Sequence, residues 1–379
     1  MTGEVKPCCT IDINPEMMKY PEFVVHNVNK ETNDSFSDFY WSPAMKRLRA
    51  AMKSGKDNQF LEDFCFKCKL YEASGNRSQR QYYIGRFDNE FADKKEELER
   101  IIDGDLEPTF YHSMELKPLV GNKCNLACNM CGDEWSSKYA SEAMKLGEIE
   151  KRSPVIKTEF GDKFKSELPE ILDKLEELKL VGGEPLLSKQ VYETLAMVKN
   201  PERMRLKVIT NGTVNPDRFI ELAKHFREVD VNISIEGHPP LTEYIRHPSK
   251  WSDIWENYNK FKHIARTRFV STINALNIGY MPELQEYMES LHVLHSQNNP
   301  VINNEYTIES IPPDIRKLYL NKLYKAKAIN MIKFLEFAKY KEDKMWQMMN
   351  HVKRRDKLRG TCLLDVAPEW APYYNKVIV

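Results

Sequence analysis

The sequence predicts an α/β chain built as a partial (βα)6 barrel, with a cysteine-containing region before it and a helical tail after it. Two observations carry this expectation. From residue 115 onward, short apolar or β-branched runs recur at 116–120, 177–181, 206–210, 229–235, 268–276 and about 303–308. Helix-like stretches separate them, at Leu168 to Leu178, Lys189 to Val198, Pro216 to Phe226 and Trp251 to Ile264. Strand-then-helix alternation gives right-handed βαβ units and a parallel sheet. Six units suit an open or partial barrel, whereas the common closed barrel takes eight. Chemically interesting residues follow the strand runs, at the strand ends where such folds place their working groups.

Residues 1–87 form a first region with two cysteine groups and a polar loop, Asn27 to Ser35. A helix is expected from Ser42 through Met52, with Ser42 as N-cap and Pro43 in the first turn. Residues 88–114 read as a helical linker. Within it, 88–103 is highly charged, with apolar spacing only at Phe91, Leu98 and Ile101. The barrel is assigned to 115–312 and a helical extension to 313–379. In that extension Tyr319, Tyr324, Met331, Phe334, Phe337, Met345, Trp346 and Met349 read as core-facing stripes.

Composition narrows the function. The 379 residues carry 56 Lys plus Arg against 56 Asp plus Glu, so bulk charge gives no reason to expect nucleic-acid binding. No apolar run reaches the length of a membrane-spanning helix. The start, Met1 to Lys6, lacks the apolar core of a signal peptide, so a cytoplasmic location is expected. Seven of the eight cysteines fall in three tight groups, which in a reducing compartment points to metal ligation.

The run Leu116 to Val120 leads directly into Gly121-Asn122-Lys123-Cys124-Asn125-Leu126-Ala127-Cys128-Asn129-Met130-Cys131-Gly132. Three thiolates spaced C-x3-C-x2-C can wrap one soft metal centre. A structural zinc takes four protein ligands, and a ferredoxin-type cluster takes four cysteines. The closest histidine, His112, precedes the strand run. Three ligands on one loop leave one metal position open to a small molecule. A zinc loop completed by a remote cysteine is the alternative.

This loop, placed after the first strand of a βα barrel, resembles the signature of the radical S-adenosylmethionine (radical SAM) enzymes. The resemblance implies a partial TIM-like barrel in which Cys124, Cys128 and Cys131 hold three irons of a [4Fe–4S] cluster, with SAM chelating the fourth iron. Reductive cleavage would then yield a 5′-deoxyadenosyl radical. Later segments extend the resemblance. Gly182-Gly183-Glu184-Pro185 matches the family's G-G-E-P, implying contacts to the SAM amino group. Thr210-Asn211-Gly212 matches T-N-G. Ser234 and Arg246 match residues that hold the SAM carboxylate and ribose, and a guanidinium suits a carboxylate because it offers two parallel donors. Asn274 is a weaker candidate contact, and Met130 takes the place of an apolar neighbour of the adenine.

The first region is similar to the "twitch" or SPASM-type accessory regions of this superfamily. Pro7-Cys8-Cys9, the helix Trp41-Ser42-Pro43-Ala44-Met45-Lys46-Arg47-Leu48-Arg49 and Cys65-x2-Cys68 carry that similarity. It implies an auxiliary iron–sulfur cluster on Cys8, Cys9, Cys65 and Cys68, with zinc as the rival. Relatives carry a further cysteine upstream, whereas this sequence starts at the equivalent of Gly3. The start is then truncated, or Cys8 and Cys9 both ligate, or a ligand comes from elsewhere. Cys362 is a distant candidate, read first as a packing residue. The expected substrate is a peptide or protein side chain, with a nucleoside or small-molecule precursor as the alternative and a non-catalytic iron–sulfur or zinc protein as the third reading. The chemistry implies a flavodoxin-like or other low-potential reductant. Acid–base groups are not assigned; Tyr280 and Glu309 are named only as residues near the barrel mouth.

Overall fold

The computed structural model describes residues 5–6, 20, 26–54, 59–73, 77–156, 159–298, 300–301 and 304–378. The chain divides into two compact units, one of residues 1–118 and 158–176, the other of 119–157 and 177–379.

The first unit is mainly helical. Ser35 opens a short helix, Phe36–Tyr40, with a reciprocal capping box to Asp38. The helix expected after Ser42 is present as Pro43–Ser54, and the Ser42 hydroxyl accepts from the Met45 amide at 3.4 Å. Leu48 on this helix packs with Phe60 and Phe64 of the helix Gln59–Ala73. Burying each such side chain stabilises by about 1.5–3 kcal/mol. The charged stretch 88–103 is not one helix. It breaks after Glu90 and resumes as a 3-10 turn, Ala92–Lys94, and the helix Lys95–Asp103, which Gly104 ends in the left-handed conformation.

Six strands stand in chain order in one sheet. They are β1 (Met114–Glu115), β2 (Glu177–Leu180), β3 (Arg205–Thr210), β4 (Glu228–Ser234), β5 (Arg266–Thr272) and β6 (His295–Asn298). All pairings from β2 to β6 are parallel. The helices Lys189–Met197, Asp217–Ala223, Trp251–Phe261 and Met281–Ser290 alternate with them. A parallel sheet in sequential order, with a helix in each crossover, is the predicted (βα) arrangement. Register puts Leu178, Leu206, Val208, Val231, Ile233 and Phe269 on one face, all fully buried.

Two strand expectations are corrected. The run 116–120 is not a strand: β1 ends at Glu115 and Lys117–Val120 forms a single helical turn. Pro118 explains this, since it cannot donate to a ladder but is tolerated in a first helical turn. In the run near 303–308, the described residues 304–308 are not a strand either. β6 lies earlier, at His295–Asn298, and Ile308–Ser310 is a 3-10 turn capped by Thr307.

The extension is helical as expected, through Pro313–Lys325, Ile329–Phe337, Glu342–Arg359 and Ala371–Tyr374. Tyr319, Met331, Met345 and Met349 are buried, but Tyr324 and Phe337 are exposed, at 54 % and 76 %. The apolar stripe is therefore narrower than the residue types suggested. The helix Glu342–Arg359 stops at Gly360, whose φ of +68° is the left-handed exit that glycine adopts without strain. Among the described residues no helix is long and apolar enough to cross a membrane.

Candidate functional site

Everything in this site belongs to the second unit. The cysteine loop leaves the helical turn ending at Val120 and enters the helix Ser137–Lys145, whose N-cap Ser136 binds the Tyr139 amide. Between these anchors the backbone is irregular, so its polar groups need partners from elsewhere. Other segments supply them. The Ala127 amide donates to the His247 carbonyl at 2.7 Å and the Asn129 amide to the Ile245 carbonyl at 2.8 Å. The Asn122 side chain binds the Asp133 and Pro154 carbonyls and the Ile156 amide, closing the loop's base.

The G-G-E-P segment is fitted to the start of this loop. The Gly183 amide donates to the Gly121 carbonyl at 2.9 Å, and the Glu184 amide to the Lys123 carbonyl at 2.8 Å. A Cβ on Gly183 would stand 2.5 Å from the Lys123 oxygen, and one on Gly182 would stand 2.8 Å from the Val120 Cβ. The glycines therefore admit a close backbone approach that no other residue allows. Among the described residues, no hydrogen bond is donated to the Gly182 or Gly183 carbonyl.

Glu184 is fully buried, with both carboxylate oxygens engaged. One accepts from the Leu186 amide at 3.1 Å and the Thr210 hydroxyl at 2.8 Å, the other from the Asn211 amide at 2.8 Å. It thus ties the end of β2 to the end of β3. Burial pushes its carboxyl up to about 6 against those hydrogen bonds. Pro185 is buried. Asn211 continues the link, its amide group reaching the Asn125 oxygen at 2.9 Å and the Cys124 sulfur at 3.9 Å.

Arg246 follows the short helix Pro239–Ile245. Its Nη1 lies 3.8 Å from the Cys128 sulfur, and its Nε and Nη2 bind one oxygen of Glu236 at 3.2 and 2.9 Å. Glu236 is fully buried, and its other oxygen accepts from the Thr272 amide and the Asn277 side chain, each at 3.1 Å. Burial pushes Glu236 up to about 7, against the pull of Arg246. Ser234 ends β4, and its hydroxyl has no hydrogen-bond partner among the described residues. Asn274, fully buried, donates to the Met130 sulfur at 3.4 Å and the Thr272 carbonyl at 3.2 Å.

The structure thus brings Cys124, Cys128, Cys131, Met130, Gly182, Gly183, Glu184, Pro185, Asn211, Arg246 and Asn274 around one loop, with Ser234 at the adjoining strand end. Burial and the neighbouring thiols push Cys124 and Cys131 up to about 12, and burial pushes Cys128 up while Arg246 pulls it down. A metal centre would have to displace those protons, as thiolate ligation always does. Among the described residues no group of three or more His, Cys, Asp and Glu side chains is drawn together tightly enough for a single metal ion. An iron–sulfur cube is a larger object, with its thiolates further apart. Three soft donors, a neighbouring guanidinium and two acceptor carbonyls fit such a cluster with an amino-acid ligand.

Four residues here were missed from sequence. Glu236 and Asn277 hold Arg246 in place. The Asn304 side chain donates to the Met130 carbonyl at 2.9 Å. Arg359, at the last turn of Glu342–Arg359, donates to the Ala127 carbonyl at 2.5 Å and to the Asn129 side chain, and it is anchored on Glu142 at 2.7 Å. Glu236, two residues beyond Ser234 at a strand end, carried a local signal. Arg359 carried none. The Tyr280 hydroxyl donates to Glu369 at 2.8 Å, and Glu309 pairs with Lys341 and Lys344. Cys65 and Cys68 lie in the first unit on the helix Gln59–Ala73, three residues apart, Cys68 buried and Cys65 half-buried. Cys8 and Cys9 lie outside the described residues. Cys362 is half-buried.

Residues 119–292 match the radical SAM superfamily. That segment, a little under half of the chain, is a radical SAM domain, and such a domain implies a [4Fe–4S] cluster and SAM. A protein of Methanocaldococcus jannaschii named "Probable GTP 3',8-cyclase" is 26 % identical over 186 residues, covering 46 % of this chain and 55 % of the relative. A 7-carboxy-7-deazaguanine synthase of Clostridium acetobutylicum is 27 % identical over 97 residues, covering 26 % of this chain and 37 % of the relative. The chain thus spans about half or less of these relatives' length. Among solved structures, Streptococcus suis SuiB bound to S-adenosylmethionine aligns with a TM-score of 0.38 and 11 % identity, over 75 % of this chain and 61 % of SuiB.

Proposed function

We propose that the chain is a radical SAM enzyme. Cys124, Cys128 and Cys131 hold the cluster, and Met130, Gly182, Gly183, Glu184, Pro185, Asn211, Ser234, Arg246 and Asn274 surround SAM. The observation that supports this most is the convergence of four strand ends, through Gly183, Asn211, Arg246 with Glu236, and Asn274, on one three-cysteine loop. When bound, the cluster and SAM supply a one-electron cleavage that yields the 5′-deoxyadenosyl radical for hydrogen abstraction.

The chain's own residues position and exclude. Gly182 and Gly183 offer carbonyl acceptors to the SAM amino group. The Ser234 hydroxyl is available to a polar ligand group. Glu236 fixes the Arg246 guanidinium with its positive charge beside Cys128, where it favours a thiolate. Glu184 acts indirectly, by locking the ends of β2 and β3 so that Asn211 meets Cys124. Met130, held by Asn274 and Asn304, presents an apolar, polarisable surface suited to an adenine ring.

The substrate reading is a peptide or protein side chain, supported by the similarity of the first region to SPASM and twitch regions. On that reading Cys65 and Cys68, with Cys8 and Cys9, hold an auxiliary cluster, and a flavodoxin-like protein supplies electrons. The names of the two curated relatives, which concern GTP and a deazaguanine, favour a second reading: a nucleoside-type small molecule.

Anaerobic reconstitution with iron and sulfide, followed by assay of 5′-deoxyadenosine from SAM under reduction, tests the proposal. Wild type should bind iron with acid-labile sulfide and cleave SAM. The Cys124→Ala/Cys128→Ala/Cys131→Ala variant should lose that iron and all cleavage. Bound zinc with no sulfide, or undiminished cleavage in the variant, would overturn it.

A further inference from the structure

The cysteine loop stands at one end of β2–β5, and along these strands the sheet carries a second face of charged residues. Register places Glu177, Lys179, Arg205, Lys207, Glu228, Asp230, Arg266 and Arg268 on one face, opposite to the apolar face described above. The interior of a packed βα barrel normally carries bulky branched residues. Here five cations and three carboxylates take those positions, a surplus of two positive charges.

The ion pairs account for part of this set. Arg205 meets Glu177 at 3.8 Å and Glu228 at 2.8 Å, Lys179 meets Glu177 at 3.5 Å, and Arg266 and Arg268 meet Asp230 at 2.7 and 3.7 Å. Lys207, half-buried at the centre of β3, has no partner among the described residues. Its Cα partner on β4 is Asp230, whose carboxylate is already shared by the two arginines. The Asn232 side-chain oxygen on β4 and the Nε of its register partner Arg268 on β5 are buried without a hydrogen bond. A cation held half-buried without a carboxylate of its own, as Lys207 is, is stabilised by an anion from outside.

We infer that this face binds the oxyanion end of the substrate, a phosphate or carboxylate group seated between Lys207 and Arg268. The inference rests on the radical SAM reading and deepens it. Lys207 lies three residues before Thr210, so the anchor sits about 10 Å down the strand from the ends that meet the cysteine loop, at about 3.3 Å per residue. The substrate is then an elongated molecule, anchored at its anionic end and reacting near the strand ends.

Calorimetric titration of the full-length chain with pyrophosphate and with hexaglutamate tests this. One of the two probes should bind saturably, pyrophosphate identifying a phosphate source and hexaglutamate an acidic-peptide source. Lys207→Met and Arg268→Met should each weaken that binding by about tenfold or more, while the surface variant Lys224→Met leaves it unchanged. Matching thermal unfolding of Lys207→Met and wild type excludes a folding defect. No saturable binding of either probe, or equal weakening by Lys224→Met, overturns the inference. Binding is read without SAM turnover, so a chain that binds a probe but fails to cleave SAM sinks the functional reading alone. One that cleaves SAM but binds neither probe sinks this inference alone.

Discussion

Two cysteine sets sit in very different settings. Cys65 and Cys68 ride on a regular helix whose backbone satisfies itself, with Cys65 packed against Leu48, Phe60 and Phe64. Cys124, Cys128 and Cys131 ride on an irregular loop whose shape is imposed by partners as distant as Asn211, Arg246 and Arg359. A helix fixes the spacing of two thiols but presents them in one direction. A loop can turn three thiols toward one point, yet it must be fastened from outside, and that fastening is where its stability is exposed to mutation.

The largest difference should come from the thiols themselves. Cys128→Ala should abolish iron retention at the loop, whereas Cys65→Ala should leave the loop's iron and SAM cleavage intact; iron and sulfide analysis of both variants decides it. Next is the fastening. Arg359→Met removes a buried cation from Glu142 and two bonds from the loop, and should cost about 3 kcal/mol in urea unfolding. It should also speed alkylation of Cys128 in the metal-free chain, a change that Arg355→Lys should not reproduce. Gly183→Ala drives a Cβ into the Lys123 carbonyl and should cost about 2 kcal/mol.

A smaller effect is expected from Glu236. Its native carboxyl holds a proton more tightly than the unfolded one, since burial pushes it up to about 7. Its contribution to stability is therefore greatest below the ordinary glutamate value of about 4.3 and is lost as pH rises to about 7. The metal-free wild type should be less stable at about pH 8 than at about pH 5, and Glu236→Gln should flatten that slope. The smallest effect belongs to the helix pair, where Cys65→Ala should cost about 1 kcal/mol or less. A loss as large as that of Arg359→Met would show that the helix pair and the loop are fastened alike.

The sequence carried the parts of this design that are local. Alternation of apolar runs and helical stretches located β2, β3, β4 and β5, because each buries at least every second side chain. It failed at 116–120, where Pro118 overrides an apolar run, and near 303–308, where an apolar run proved to be turns. At the site, the cysteines and glycines were legible since their function depends on spacing along the chain. Asn304 and Arg359 were not, because each reaches the loop from a different part of the fold. The ionic face of the sheet was hidden for a similar reason: Lys207 and Arg268 are unremarkable in their own strands, and only pairing register assembles them.

The bond between Arg359 and Asn129 joins residues 230 positions apart. During synthesis the cysteine loop therefore emerges long before its clamp. At about 5–20 residues per second the interval is roughly ten to fifty seconds. For that time the three thiols stand on a loop that lacks this clamp, open to oxidants and to whatever delivers iron. Insertion of a cluster into the nascent chain would meet a wider mouth than insertion into the finished protein.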